Sequence, residues 1–262
     1  MHVSRARPDA LPTEFHEVRW LSHALQRRAR FLLYLPGDYS ERPARRYPVL
    51  FFLHGSGHDP HSVMEQIRPQ EHRDTLGLAL LVIPDGEQGW WLDSPIQRRS
   101  SFGRYVLEMV ALIDESYRTF ATPAGRGLCG FSMGGYGAML LACQHPDLFG
   151  AASSLLGPLD IAQMFPDYYR LRLLLGSSLG AWQEFNPTRL AARLAHTALY
   201  FCTAQGAFDR PQNEAFADAL RSLGIAFEYA AHPGTHDTAW VRAHLRDALA
   251  FHRRAFDQAF QS

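Results

Sequence analysis

Short apolar runs alternate with longer amphipathic ones along this chain. Apolar stretches rich in β-branched and aromatic residues predict strands at 17–22, 30–35, 49–53, 79–83, 127–131, 151–155, 199–203 and 226–230. Apolar residues at helical spacing predict helices, clearest at 102–117, 134–145, 211–223 and 238–256. Within 102–117, Tyr105, Val106, Met109, Val110, Leu112, Ile113 and Tyr117 share one broad face, while Arg104, Glu108, Asp114 and Glu115 point outward. This alternation predicts an α/β fold: a mostly parallel central sheet of about eight strands with helices on both faces, the first two strands forming an antiparallel edge. The stretch 157–195 breaks the rhythm. It sets Pro158, Pro166, Gly176, Gly180 and Pro187 among the aromatics Phe165, Tyr168, Tyr169, Trp182 and Phe185, and reads as a cap or insertion. No linker or repeat interrupts the rest, so residues 1–262 read as a single domain.

Composition narrows the function. Basic and acidic residues balance at 26 each, which gives no electrostatic reason to expect nucleic acid or an anionic membrane as a partner. The clusters Arg27, Arg28, Arg30 and Arg42, Arg45, Arg46 read as solvated surface near strand ends. Residues 1–19 contain no apolar core of a signal peptide and no spanning helix, so a cytoplasmic location is expected. Cys129, Cys143 and Cys202 sit in apolar settings and read as small buried thiols rather than a disulfide framework or a zinc site. His58-Asp59-Pro60-His61 has metal-ligand residue types at tight spacing, but nothing adjacent completes a shell; a loop or helix cap is expected, and no metal.

Candidate chemistry centres on Gly130-Phe131-Ser132-Met133-Gly134, a G-x-S-x-G pattern with an apolar run before it and a helix-compatible run after it. Roughly one chain in ten of this length would carry that pattern by chance, so its surroundings decide. A serine attacks a carbonyl when a base accepts its proton, an acid orients the base, and N–H groups receive the oxyanion. In strand-turn-helix hydrolases the chain order is serine, acid, histidine, each on a loop after a strand. Asp209, on the loop leaving 199–203, is the acid of choice; the alternative is that it merely caps the next helix, and Asp160 and Asp237 are less suitably placed. His236, on the loop after the last strand, is the base of choice over His232, His244 and His252. The apolar run 49–53 delivers His54-Gly55-Ser56-Gly57, whose backbone, with the N–H of Met133, suits an oxyanion hole; Ser56 is the expected second donor.

These segments, together with Pro84-Asp85-Gly86 and Gly89-Trp90-Trp91, resemble the esterase D-like family of the α/β-hydrolases, which includes S-formylglutathione hydrolases, tributyrin esterases, feruloyl and acetylxylan esterases and mycolyltransferases. The likeness spans most of the chain and is sharpest over Phe131-Ser132-Met133-Gly134-Gly135. It implies Ser132 as nucleophile, His236 as base, Asp209 as its orienter, and the Ser56 and Met133 N–H groups as the oxyanion hole. It also implies Trp90 and Trp91 at a substrate-binding wall. The His54 loop lacks the cysteine that formylglutathione hydrolases tend to carry, which argues against a glutathione thioester. The expected protein is a serine carboxylesterase that hydrolyses small acyl esters through an acyl-enzyme and needs no cofactor. Acyl transfer or peptide cleavage by the same triad is the first alternative, a catalytically silent binding protein the second. Oligomeric state is not legible.

Overall fold

The computed structural model describes residues 4–6, 15–77, 79–164 and 168–260. Its centre is a nine-stranded sheet formed by β1 (Ser4–Ala6), β2 (Phe15–Ser22), β3 (Arg27–Tyr34), β4 (Val49–Leu53), β5 (Leu80–Pro84), β6 (Arg126–Phe131), β7 (Ala151–Leu155), β8 (Ala198–Ala204) and β9 (Glu228–His232), in the order β1-β2-β3-β5-β4-β6-β7-β8-β9. The first three strands pair antiparallel and β3 meets β5 antiparallel; β5, β4, β6, β7, β8 and β9 run parallel to one another. Five longer helices are α1 (Phe102–Ser116), α2 (Met133–Gln144), α3 (Tyr169–Leu175), α4 (Arg210–Ser222) and α5 (Thr238–Phe260).

Strand periodicity explains why the sheet carries a core on each face. Along β4, Val49, Phe51 and Leu53 face one cluster that includes Met109, Tyr136 and Phe216, while Leu50 and Phe52 face a second one that includes Trp240, Leu245 and Leu249. Thus α1, α2 and α4 cover one face and α5 the other. All five residues of β4 and of β5 are buried, as expected of central strands in a sheet covered on both faces.

The eight expected strands are present, β4 and β7 with the expected ends and the others with ends shifted by one to three residues. β9 is displaced as a whole by two residues, expected at 226–230 and found at Glu228–His232: pairing of Tyr200 with Glu228 sets its start, and Phe227 instead stacks on Phe201 with ring centroids 5.4 Å apart. A ninth strand, β1, is too short to show periodicity and exists through its pairing with β2. The irregular stretch after β7 folds into α3 and several helical turns; Phe165 and Pro166 lie outside the described residues. Cys129, Cys143 and Cys202 are buried and free, and burial pushes the thiols of Cys129 and Cys202 up to about 12. No helix among the described residues is long and apolar enough to cross a membrane.

His252 shows how the second core constrains pH. It lies fully buried on α5, 2.8 Å through Nε2 from the Ser153 hydroxyl, and burial lowers its pKa from 6.5 to about 3. The unfolded chain binds a proton near pH 6.5 that the folded one refuses, so this contribution to stability is complete above that pH and is lost as pH falls from about 6.5 towards 3. The expected loss is about 1.4 kcal/mol per pH unit from this group, and His252→Gln should flatten that slope. Urea unfolding of both proteins between pH 7 and pH 4 checks it.

Candidate active site

Ser132 stands at the turn between β6 and α2 with φ 53° and ψ −121°, a conformation that L-residues rarely adopt. Its own N–H donates to Leu155 O at 2.8 Å, which ties the turn to β7. The turn closes because two positions have no side chain. A Cβ on Gly134 would fall 1.9 Å from Leu53 O, and one on Gly130 would fall 2.3 Å from Gly134 O. Met133 begins α2, where the first backbone N–H groups have no partner within the helix.

His236 bridges the other two chosen residues. Its Nε2 is 2.9 Å from Ser132 Oγ and its Nδ1 is 2.7 Å from Asp209 Oδ1. A carboxylate only accepts, so Nδ1 carries the proton and Nε2 is left to accept from the serine hydroxyl. Asp209 does precede α4, but its side chain makes no cap bond to that helix. The carboxylate turns inward, fully buried, with Oδ2 accepting from Thr203 Oγ1 at 2.6 Å and from Asn213 Nδ2 at 3.1 Å. Asn213 Nδ2 also reaches Asp209 O and Gly157 O. Neither Thr203 nor Asn213 was anticipated. The signal was available: Thr203 is the polar residue near the end of a buried strand, and Asn213 lies four residues after Asp209, one helical turn on.

The loop after β4 meets this group from the opposite side. Gly86 N–H donates to His54 Nε2 at 2.9 Å, so the neutral ring carries its proton on Nδ1 and donates it to Gly55 O, also at 2.9 Å. Burial lowers the pKa of His54 and keeps it neutral. With the Gly55 carbonyl held by His54, the planar trans peptide sends the Ser56 N–H away from that ring. The Ser56 hydroxyl donates to Gln88 Oε1. Gly55, Ser56, His58, Phe131, Ser132 and His236 line one cleft of about 150 Å³. A roomier groove of about 470 Å³ lies between Pro48, Ala79, Phe120 and Phe256. Pro48 and Ala79 precede β4 and β5, so that groove sits at the opposite ends of the parallel strands from Ser132; size alone does not locate the chemistry.

The tryptophans are a correction. Trp90 and Trp91 do not line the cleft and are buried, at 2% and 0% exposure. Space explains it: Trp91 fills the gap left by glycines at 86 and 137 and donates from Nε1 to His54 O at 3.1 Å, while Trp90 packs edge-on against Tyr136 and Tyr168. They brace the loop beneath the cleft. The His58–His61 group disperses: His58 lies against Ser56 O and Gln66, Asp59 caps the turn Pro60–Ser62, and His61 pairs with Glu17 at 2.9 Å.

A mostly parallel sheet with helices on both faces and a serine on the turn after a central strand defines an α/β-hydrolase. The solved structures that share this fold include FphF of Staphylococcus aureus, a fluorophosphonate-binding serine hydrolase, with a TM-score of 0.80 at 18% identity, covering 91% of this chain and 97% of that one. An S-formylglutathione hydrolase from Agrobacterium tumefaciens gives 0.81 at 20% identity, covering 98% of this chain and all of that one. The family described as "Putative esterase" matches residues 22–252, and the chain belongs to that esterase family. Among curated relatives, Esterase Rv1288 of Mycobacterium tuberculosis is 32% identical over 145 residues, half of this chain and 29% of that protein. This chain therefore spans under a third of that relative's length. The S-formylglutathione hydrolase of Arabidopsis thaliana is 23% identical over 260 residues, 87% of this chain and 88% of that one.

The close approach at the turn gives a direct test. Gly134→Ala places a methyl group against Leu53 O and must push β4 from α2, with an expected cost of about 1–3 kcal/mol. Thermal melts of the variant, with fluorophosphonate labelling of Ser132 measured well below its midpoint, check both the stability loss and the displaced serine.

Proposed function

We propose that the chain is a serine carboxylesterase acting on small acyl esters. The observation that carries this reading is the unbroken hydrogen-bond relay from Asp209 through His236 to Ser132 Oγ. In the reaction Ser132 Oγ attacks the ester carbonyl while its proton passes to His236 Nε2. Asp209 holds the ring in the required tautomer and faces the imidazolium that forms. The N–H groups of Met133 and Ser56 receive the developing oxyanion. His236 then returns the proton to the departing alcohol oxygen, leaving an acyl-enzyme. Water, deprotonated by His236, releases the acid and restores the serine.

Two further observations support the substrate class. The cleft volume of about 150 Å³ suits a short acyl chain. Membership of the esterase family supports carboxylic esters, whereas thioesters of glutathione fit less well because the His54-Gly55-Ser56-Gly57 loop has no cysteine. Three free buried thiols are in keeping with a reducing compartment such as the cytoplasm.

Ser132→Ala should lower hydrolysis of short p-nitrophenyl esters by a factor of at least about 10³ and abolish fluorophosphonate labelling, with the melting temperature kept. Full activity in that variant would sink the assignment. Asp209→Asn, which reverses the tautomer preference of His236, should lower kcat by about 10³ to 10⁴. Steady-state kinetics on a series of acyl lengths reads both effects.

A further inference from the structure

A second cluster of donors lies beside the loop that carries His236. His232, His244 and Asp247 each offer one ligand atom, and these atoms all lie within 4.8 Å of one another. They stand on rigid elements. His232 ends β9 opposite Ala204, and its carbonyl accepts from Gln205 N at 2.8 Å. His244 and Asp247 lie three residues apart on one face of α5, whose Trp240, Val241 and Leu245 are buried in the core. His232 Nε2 is buried and has no hydrogen-bond partner among the described residues. Trp240 walls the cluster: its ring lies 4.2 Å from that of His244 and 6.2 Å from that of His232, and its Nε1 is held by Pro233 O at 3.0 Å.

Two imidazole nitrogens and one carboxylate oxygen are a donor set for zinc, with a fourth, tetrahedral position left for water; alkaline-earth ions prefer oxygen throughout. We propose that His232, His244 and Asp247 form a binding site for a divalent zinc ion that joins the end of β9 to α5. The two imidazoles are stacked, 4.2 Å apart and 13° from parallel, so an ion in the plane of one ring lies outside the plane of the other. Binding therefore turns the half-buried His244 ring about χ2, a broad torsion. The site brackets residues 233–237, and an ion held there ties down both ends of the loop that presents His236.

Linear spacing conceals the cluster, since eleven residues, 233–243, separate the two histidines and only the packing of α5 against the sheet brings them together.

The test is titration of zinc chloride into the chelator-stripped full chain, followed by calorimetry and by thermal melting. The expected result is about one ion per chain and a melting temperature that rises with zinc. His244→Ala and Asp247→Asn, neither at a fully buried position of the helix, should each weaken binding by about tenfold or more, and His232→Ala should do the same, while His236→Ala leaves binding unchanged. No uptake by the parent chain overturns the proposal. So does uptake that survives in His244→Ala, or uptake that is lost in His236→Ala and so belongs to the Ser132 cleft.

Discussion

Backbone contact at the turn after β6 is the constraint on which the site depends. Gly134 lies so near Leu53 O that no side chain fits between them, and Gly130 lies as closely against Gly134 O. Three segments, the end of β6, the first turn of α2 and the end of β4, are thereby pressed together at backbone distance. Ser132 is forced into φ 53°, a conformation that costs about 1–3 kcal/mol and is held by its hydrogen bond to Leu155 O and by the sheet on both sides. The same contact brings the His54 loop beside Ser132, so the proposed nucleophile and the proposed oxyanion donors share one origin.

The second requirement is electrostatic. Asp209 is a fully buried carboxylate, which would be costly if left unpaired, and three partners offset that cost: Thr203, Asn213 and His236. Two of them hold one carboxylate oxygen and leave the other to the imidazole, so the direction of the acid is set before any substrate arrives. The helix that begins just after Asp209 goes without its side-chain cap, a stabilisation given up to the site. On the other side of Ser132, His54 plays a complementary part. Its neutral ring accepts from Gly86 and donates to Gly55, and so orients the peptide that precedes Ser56.

Aromatic packing fills the space behind these polar groups. Trp91 occupies room left by two glycines and bonds to the His54 carbonyl, and Trp90 links the tryptophan loop to Tyr136 of α2 and Tyr168 beside α3. These contacts make the loops of the site part of the core. Solved structures near 20% identity share the fold at TM-scores of about 0.8, which is in keeping with an architecture carried by burial and alternation rather than by particular side chains.

Alternation of apolar runs with amphipathic segments was enough to read an α/β fold, because strand and helix periods differ and the chain keeps to both. The positions of Ser132, Asp209 and His236 were equally legible, since each follows a strand and the loops that follow parallel strands all emerge at one end of the sheet. What stayed hidden depended on distance in space. The inward turn of Asp209 needed Thr203 and Asn213 to receive it, and its spacing alone fitted a helix cap just as well. Trp90 and Trp91 read as a pocket wall because bulk beside an active loop can face either way; the voids at Gly86 and Gly137 decided that Trp91 faces inward. The meeting of His232 with His244 and Asp247 needed α5 to dock on the sheet. Periodicity and chain order are properties of a line and can be read from it, whereas the side of a loop on which a residue packs depends on the space that distant residues leave open.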